Sequence, residues 1–182
     1  MKTLIATILA GVFICAGNLA AGPLTPEQQA ALDAQKKVIA KWAAASLLVS
    51  AVKAQNAEGP IPGMNNAVWA ALKPGNPIVT AFEKNAAGVW LAKKLKKAKG
   101  LFSEAFLSAA RGEKVAFVAK PTSYIHAGTP KFDVPMTGKP WQGEPALDQS
   151  SNVYSVQIST PVMDGGKPIG VLVVGVAVDK LK

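Results

Sequence analysis

The chain has 182 residues, a formal net charge of +9 and a single cysteine. This length is enough to bury the core of one domain. Because Cys15 lies in an apolar N-terminal stretch, the rest of the chain has no thiol for a disulfide, a cysteine-based zinc site or a thiol nucleophile. The positive charge favours anionic partners, but Arg111 is the only arginine, and arginine is the residue that best recognises phosphates and bases. We therefore expect no nucleic-acid partner.

Residues 1–21 have the pattern of a secretory signal peptide. A short basic start is followed by an apolar stretch from Leu4 to Ala16, too short to span a bilayer comfortably, and small residues close the segment. We expect cleavage after residue 20 or 21. Lipid attachment at Cys15 is disfavoured because the residue before it is not small. No other stretch is long and apolar enough to cross a membrane, so we expect a periplasmic or secreted protein without stable membrane insertion.

Residues 22–60 are predicted to form one long helix. Thr25, Pro26 and Gln28 match an N-cap, a first-turn proline and a capping-box glutamine, and no helix breaker follows until Gly59. A helix of about 30 residues is on the order of 45 Å long. Residues at three- and four-residue steps form a mostly apolar stripe, which predicts packing against the rest of the domain. The stripe consists of Leu32, Gln35, Ile39, Trp42, Ser46, Val49 and Val52.

Two further helices are predicted before the first strand. Asn65 to Lys73 is a short one, and Pro77 to Lys99 is a longer one with Asn76 as its cap. Lysines cover much of the last turns of the longer helix. A basic amphipathic helix can bind a membrane surface. Cations are also favourable at the C-terminal end of the helix dipole, and we therefore expect a solvated face.

The C-terminal end of the chain predicts a β-hairpin. The apolar runs Asn152 to Val162 and Ile169 to Val178 flank Asp164-Gly165-Gly166-Lys167, and these glycines supply the positive φ of tight hairpin turns. Alternate residues of the first strand are polar, whereas the second strand is apolar on both faces, as in a covered central strand. The half-polar face predicts either the floor of a wet pocket or an ordinary solvent face.

An earlier hairpin is predicted between Leu101 and Lys120, and Trp141 to Gly143 is a candidate edge strand. Between them, Pro121 to Pro140 is irregular and rich in glycine and proline. A loop of this length in a compact domain is usually functional.

The order of these elements resembles a Cache domain, the extracytoplasmic PAS-like sensor module of bacterial receptors. The resemblance covers residues 25 to 182 and is strongest from Leu101 onward. Besides the helices and hairpins, it rests on Thr122-Ser123-Tyr124, Gly138 to Pro145, Asp148-Gln149-Ser150 and Ile158 to Leu172. It implies an α+β fold of the PAS-like type: a five-stranded antiparallel sheet with the long N-terminal helix packed on one face. Residues 61–182 would form the sensor core.

The resemblance also implies that a small extracellular metabolite binds on the other face of the sheet. Family receptors usually have membrane anchors and a cytoplasmic output domain, which we do not find here, so a separate membrane receptor or histidine kinase is the expected partner. The family's amino-acid-binding members carry a signature of Tyr, Arg and Asp. Arg111 lies in a predicted turn, and the signature is not matched.

Polar and aromatic residues of the loop and of the two strands are the candidate ligand contacts. Aromatic side chains give apolar walls with a polar handle, and a carboxylate can receive a cationic group. The candidates are Tyr124, His126, Phe132, Asp133, Trp141, Asp148, Ser155 and Gln157. His126 is the only histidine, which makes a metal site a weak hypothesis, and an exposed loop position is its commoner role. Asp148 is also a candidate turn cap, and Trp141 a candidate core residue.

Catalytic motifs are missing from the sequence. It has no histidine pair and no Gly-X-Ser-X-Gly elbow, and Gly165-Gly166-Lys167 lacks the other residues of a phosphate loop. We therefore expect no enzyme and no cofactor. The favoured hypothesis is a secreted, small-molecule-binding, sensor-type domain that acts with a membrane signalling partner. The alternative is an interaction or scaffold protein that binds no ligand and forms a homodimer through the stripe of its N-terminal helix.

Overall fold

The computed structural model describes residues 22–148 and 151–182, so the predicted signal peptide lies outside the described residues. Helices occupy the N-terminal half of the described chain, and one short helix lies between the strands. They are α1 (Pro26–Ala43), α2 (Ser46–Glu58), α3 (Asn66–Ala71), α4 (Pro77–Lys84), α5 (Ala86–Lys97) and α6 (Pro130–Asp133). Short 3-10 turns follow at Pro135–Thr137 and Val178–Lys180.

The strands form one antiparallel sheet. They are β1 (Phe102–Ala109), β2 (Lys114–Phe117), β3 (Trp141–Gln142), β4 (Ala146–Asp148), β5 (Val153–Asp164) and β6 (Lys167–Ala177). The order is β2-β1-β6-β5-β3, and β4 also pairs with β5. The α+β prediction is confirmed, but the sheet has six strands rather than five. The outer edge of β5 is shared, since β3 pairs with residues 158–159 and β4 with residues 153–155.

The predicted C-terminal hairpin is present. Asp164 pairs with Lys167, and the two residues between them, Gly165 and Gly166, have φ of 55° and 80°. Two successive positive φ values are the requirement of a type I′ turn, whose twist matches that of the flanking strands. This turn fixes the register of β5 on β6, and therefore decides which side chains of β5 share a face.

The single long helix predicted over residues 22–60 is wrong. α1 and α2 meet at a 60° bend, where Ala45 is extended and lacks a side-chain cap. No glycine or proline marks this break, so tertiary packing overrides helix propensity here. In the same way, Asn85 divides the helix predicted from Pro77 to Lys99 into α4 and α5.

The helical side of the sheet holds the larger apolar core. Its residues come from α1, α2 and α5 and from one face of the central strands. The stripe residues Leu32, Ile39, Trp42 and Val52 are buried in it. These side chains are therefore engaged within the chain, and the apolar part of the stripe is not an exposed dimerisation surface. Among the described residues, no single helix is long and apolar enough to span a membrane.

The opposite face holds a second, aromatic core beneath α3, α4 and α6. Trp69 lies at its centre, with ring centroids of Phe82, Phe117 and Tyr124 at 6.0, 5.8 and 5.5 Å. The cluster consists of Trp69, Val79, Phe82, Phe106, Phe117, Tyr124, Phe132, Val171 and Val173. It fills the β1–β2 part of this face and leaves the β5 part to polar side chains.

Replacing Asn85 with alanine is expected to lower the free energy of unfolding by about 2–3 kcal/mol, since it removes an N-cap and leaves a carbonyl unpaired. The Asn85 side chain accepts a hydrogen bond from Gly88 N and donates one to Val115 O, both at 2.8 Å. Asn76→Ala is the matched control, because Asn76 caps α4 through Ile78 N alone. In urea unfolding, Asn76→Ala should lower the free energy of unfolding by about 1 kcal/mol. Equal losses for the two variants would contradict the second role of Asn85.

Candidate functional site

The face of the sheet opposite α1 and α2 carries polar side chains in register. Gln157 of β5 lies opposite Gly175 of β6, which in turn lies opposite Glu104 of β1. Gln157 Nε2 donates to Glu104 Oε1 at 2.6 Å across the strand between them. A Cβ atom at position 175 would lie 2.8 Å from Glu104 Cγ, so the glycine makes room for this contact.

A cavity of about 320 Å³ opens above this polar part of β5. Residues of β3, β4, β5 and the segments around them form its walls: Thr122, Lys131, Trp141, Gly143, Glu144, Ala146, Leu147, Asp148, Ser155 and Gln157. The Ser155 side chain is 3% exposed, and its hydroxyl has no hydrogen-bond partner among the described residues. Ser159 lies four residues further along β5. Its hydroxyl is also buried without a hydrogen-bond partner among the described residues, but Ser159 does not line the cavity.

Two walls of the cavity are held by local contacts. A Cβ atom at Gly143 would come within 2.8 Å of the Trp141 ring, so the absence of a side chain at position 143 makes room for the indole. Asp148 Oδ2 accepts hydrogen bonds from Ser151 N and Ser151 Oγ, at 2.7 and 2.6 Å. Asp148 therefore caps a turn, as one of the sequence hypotheses states, and lines the cavity as well.

Four of the eight candidate residues line this cavity: Trp141, Asp148, Ser155 and Gln157. The other four lie elsewhere. Tyr124 and Phe132 are buried in the aromatic core, where Tyr124 Oη accepts from Ile61 N at 3.0 Å and burial raises the pKa of the phenol. Asp133 is exposed, and its carboxylate accepts from Gly128 N at 3.0 Å.

His126 is buried rather than exposed, contrary to its commoner role as a loop histidine. Its ring stacks on Phe106, and its Nδ1 lies 2.5 Å from Lys114 Nζ. Burial, with smaller contributions from Lys114 and Lys131, lowers the pKa of His126 to about 2. His126 is therefore a neutral hydrogen-bond partner of Lys114 and lies away from the cavity walls.

Lys114 is a fully buried lysine on the same face. Its Nζ donates to Ser108 Oγ at 3.2 Å and lies 4.4 Å from the centre of the Phe106 ring. Burial lowers the pKa of Lys114 well below its usual range, and Lys131 adds to this effect, whereas the nearby carboxylates of Glu104 and Glu113 oppose it. Desolvation by burial thus disfavours the charged form of this side chain.

Sequence reasoning missed several cavity residues, above all Lys131 and Glu144. Both lie in segments whose path the sequence does not specify. Glu104 had a usable signal, because it is a charged residue inside an apolar strand and such residues are seldom buried without a partner. Among the residues that the structure describes, no group of three or more His, Cys, Asp or Glu side chains could hold a metal ion.

A larger groove of about 480 Å³ lies on the helical side, between α1 and the end of β5. Its lining is mainly apolar: Lys36, Lys37, Ala40, Ala44, Pro140, Thr160, Pro161 and Met163. Ser155 and Gln157 are not among its residues. Several polar side chains line the smaller cavity together with Trp141, and an aromatic wall with a few polar groups is typical of a binding site.

No protein-family model matches the chain, and no curated protein matches it. Solved structures with a similar fold include the sensor domain of the histidine kinase DctB from V. cholerae, at 16% identity and a TM-score of 0.43, covering 83% of this chain and 55% of that chain. The sensory domain of the Campylobacter jejuni chemoreceptor Tlp3 with isoleucine bound has 16% identity and a TM-score of 0.44, covering 86% and 65%.

The ligand-binding domain of the Pseudomonas fluorescens chemoreceptor CtaA, in complex with L-leucine, has 21% identity and a TM-score of 0.40, covering 57% of this chain and 45% of that chain. The chain thus spans about half to two thirds of the length of these solved structures. They are sensor and ligand-binding domains. At these identities and TM-scores they establish neither a ligand nor a partner for this chain.

Proposed function

We propose that this chain is a sensor-type domain that binds a small polar organic molecule in the cavity over β5. The observation that carries the proposal is the buried hydroxyl of Ser155, which faces the cavity walls without a hydrogen-bond partner among the described residues. An unsatisfied buried polar group costs about 1–3 kcal/mol. A ligand that supplies the missing partner would recover this free energy on binding.

The dimensions and lining of the cavity support a small ligand. Small-molecule sites range from about 300 to 1,000 Å³, and this cavity, at about 320 Å³, lies at the lower end. Trp141 supplies an aromatic wall, and Gln157 and Thr122 supply groups that can both donate and accept hydrogen bonds. These groups suit recognition by hydrogen bonds and stacking, and they do not form a nucleophile–base pair.

The cellular setting belongs to the same proposal. The signal-peptide pattern of residues 1–21 supports export to the periplasm or the medium. The resemblance to Cache domains supports a signalling role with a separate membrane receptor or histidine kinase. Binding of the metabolite would be the input that this partner reads.

The proposed function predicts that a small polar metabolite stabilises the protein in a thermal-shift screen. The purified protein is tested against organic acids, amines, amino acids and purines. A ligand at 100 times its Kd adds about 2.7 kcal/mol to the unfolding free energy, so the shift should rise with concentration as linkage requires. If no compound in this panel stabilises the protein, the proposed function is wrong.

Once the thermal-shift screen has identified a ligand, Ser155→Ala and its matched control Ser159→Ala test whether that ligand contacts Ser155. Both hydroxyls are buried and lack a partner, and they lie on the same strand. Removing Ser155 should weaken binding about 5- to 10-fold, the equivalent of one hydrogen bond of about 1 kcal/mol. Ser159→Ala should leave Kd unchanged. An equal effect of both substitutions on isothermal titration would show that the ligand does not contact Ser155.

A further inference from the structure

Acidic residues outnumber basic residues in the lining of the cavity, whereas basic residues predominate in the whole chain. The chain carries a formal net charge of +9. The residues that line the cavity include two acidic residues, Glu144 and Asp148, and one basic residue, Lys131. Two negative charges and one positive charge leave a formal net charge of −1.

From this reversal we infer that the cavity takes a small organic cation, an amine without a carboxylate group of its own. The inference rests on the proposed function and names the chemical class of its ligand. It differs from what the composition of the chain favours, because a strongly basic protein attracts anions to its surface. Exposed charges farther than about 10 Å from a ligand are largely screened at 0.1 M salt. The charges that line the cavity therefore dominate selection.

The Ser155 hydroxyl is an independent indication that this acidic space accepts a ligand. It is almost completely buried, it lines the cavity, and it has no partner within the described part of the chain. A hydroxyl oxygen has two lone pairs and can accept a hydrogen bond from an N–H donor of an amine. An ammonium group has only donors, so it can bond to this hydroxyl and to the carboxylates together.

The indole ring of Trp141 also favours a cation over an anion. Trp141 lines the cavity, and the absence of a side chain at position 143 makes room for its ring. The face of an indole ring carries negative potential and attracts cations more strongly than the ring of any other aromatic side chain. A carboxylate gains nothing from this face, and it would also approach the carboxylates of Glu144 and Asp148.

The test compares probes that share a four-carbon chain and differ in charge: putrescine, succinate and 1,4-butanediol. Titration calorimetry on the purified protein is the readout, with choline as a cation that lacks N–H donors. We expect putrescine to bind, its affinity to fall as NaCl is raised from 50 to 500 mM, which is the behaviour of ion pairing, and succinate not to bind. Succinate binding more tightly than putrescine would overturn the inference and leave the proposed function intact.

Two substitutions locate the effect. Glu144→Gln removes one lining charge at constant shape and should weaken putrescine binding at least 3-fold. Glu58→Gln removes an exposed carboxylate that is outside the lining of this cavity and should leave the affinity unchanged. An equal loss for both variants would assign putrescine to nonspecific attraction and overturn the inference. Failure of putrescine and choline alike at 10 mM would also overturn it, whereas the proposed function fails only when the whole metabolite panel fails.

Discussion

Trp69→Ala is expected to lower the free energy of unfolding by about 3–5 kcal/mol, the range for removal of a large buried aromatic side chain. Trp69 is completely buried and contacts three other aromatic rings. Its Nε1 also donates to Pro121 O at 2.8 Å, so the substitution leaves both a void and an unpaired carbonyl. Since α3 contributes Trp69 to this core, the loss should also loosen its attachment to the sheet.

Two control variants divide this effect into packing and hydrogen bonding. Trp69→Phe keeps most of the ring volume but loses the hydrogen bond to Pro121 O, and we expect a loss of about 1–3 kcal/mol. Trp90→Ala removes a half-exposed indole from the helical side and should cost less than Trp69→Ala. Urea unfolding monitored by circular dichroism measures all three. A loss below 1 kcal/mol for Trp69→Ala would show that the aromatic core does not stabilise the fold.

Lys114→Met is expected to change how stability depends on pH. Burial lowers the pKa of Lys114 well below 10.5 in the folded protein, whereas the unfolded chain has the ordinary value. Between the lowered pKa of the folded protein and pH 10.5, the unfolded state therefore binds up to one more proton at this side chain, and acidification through this range favours unfolding. The stability of the natural protein relative to Lys114→Met should rise with pH by up to about 1.4 kcal/mol per pH unit, and the rise should stop near pH 10.5.

Several ionisable groups lie near the side-chain nitrogen of Lys114, and their own titration also affects how stability depends on pH. They are Glu104, Glu113 and Lys131, together with the neutral His126. All of them are present in the natural protein and in Lys114→Met. The difference in unfolding free energy between these two proteins therefore cancels most of the contribution from their titration. Urea unfolding between pH 7 and 10 gives this difference, and Lys37→Met, at an exposed position, serves as the control variant. A flat difference for Lys114→Met would show that the lysine is charged in the folded protein.

The segment that contains α6 connects the cavity to the aromatic core. Lys131 lines the cavity, and the next residue, Phe132, is buried among the aromatic rings. A ligand that displaces or attracts the Lys131 side chain therefore acts on a segment anchored in the core.

The C-terminal hairpin shows how much of the fold is encoded locally. Gly165 and Gly166 permit the positive φ angles of the turn, and this turn fixes the register of β5. The alternation of polar and apolar residues along β5 then places Ser155 and Gln157 on one face, as predicted. Four of the ten residues that line the cavity follow from this strand and from the adjacent edge, where Trp141 and Asp148 lie.

Other features have no local signal. The bend between α1 and α2 occurs in a run of alanines, residues that favour helix everywhere, so only packing of both helices on the sheet reveals it. The burial of His126 likewise depends on Lys114 and Phe106, which come from neighbouring strands. A loop histidine in isolation is expected to be exposed.

The sequence by itself determined the C-terminal hairpin and the half-polar face of β5, because these depend on turn chemistry and on a two-residue period. Only the tertiary structure decided which side chains enclose the cavity and what charge they carry. Lys131, Glu144 and Asp148 meet there from different segments, and the balance of charge at a site depends on distances in space that no spacing along the chain specifies.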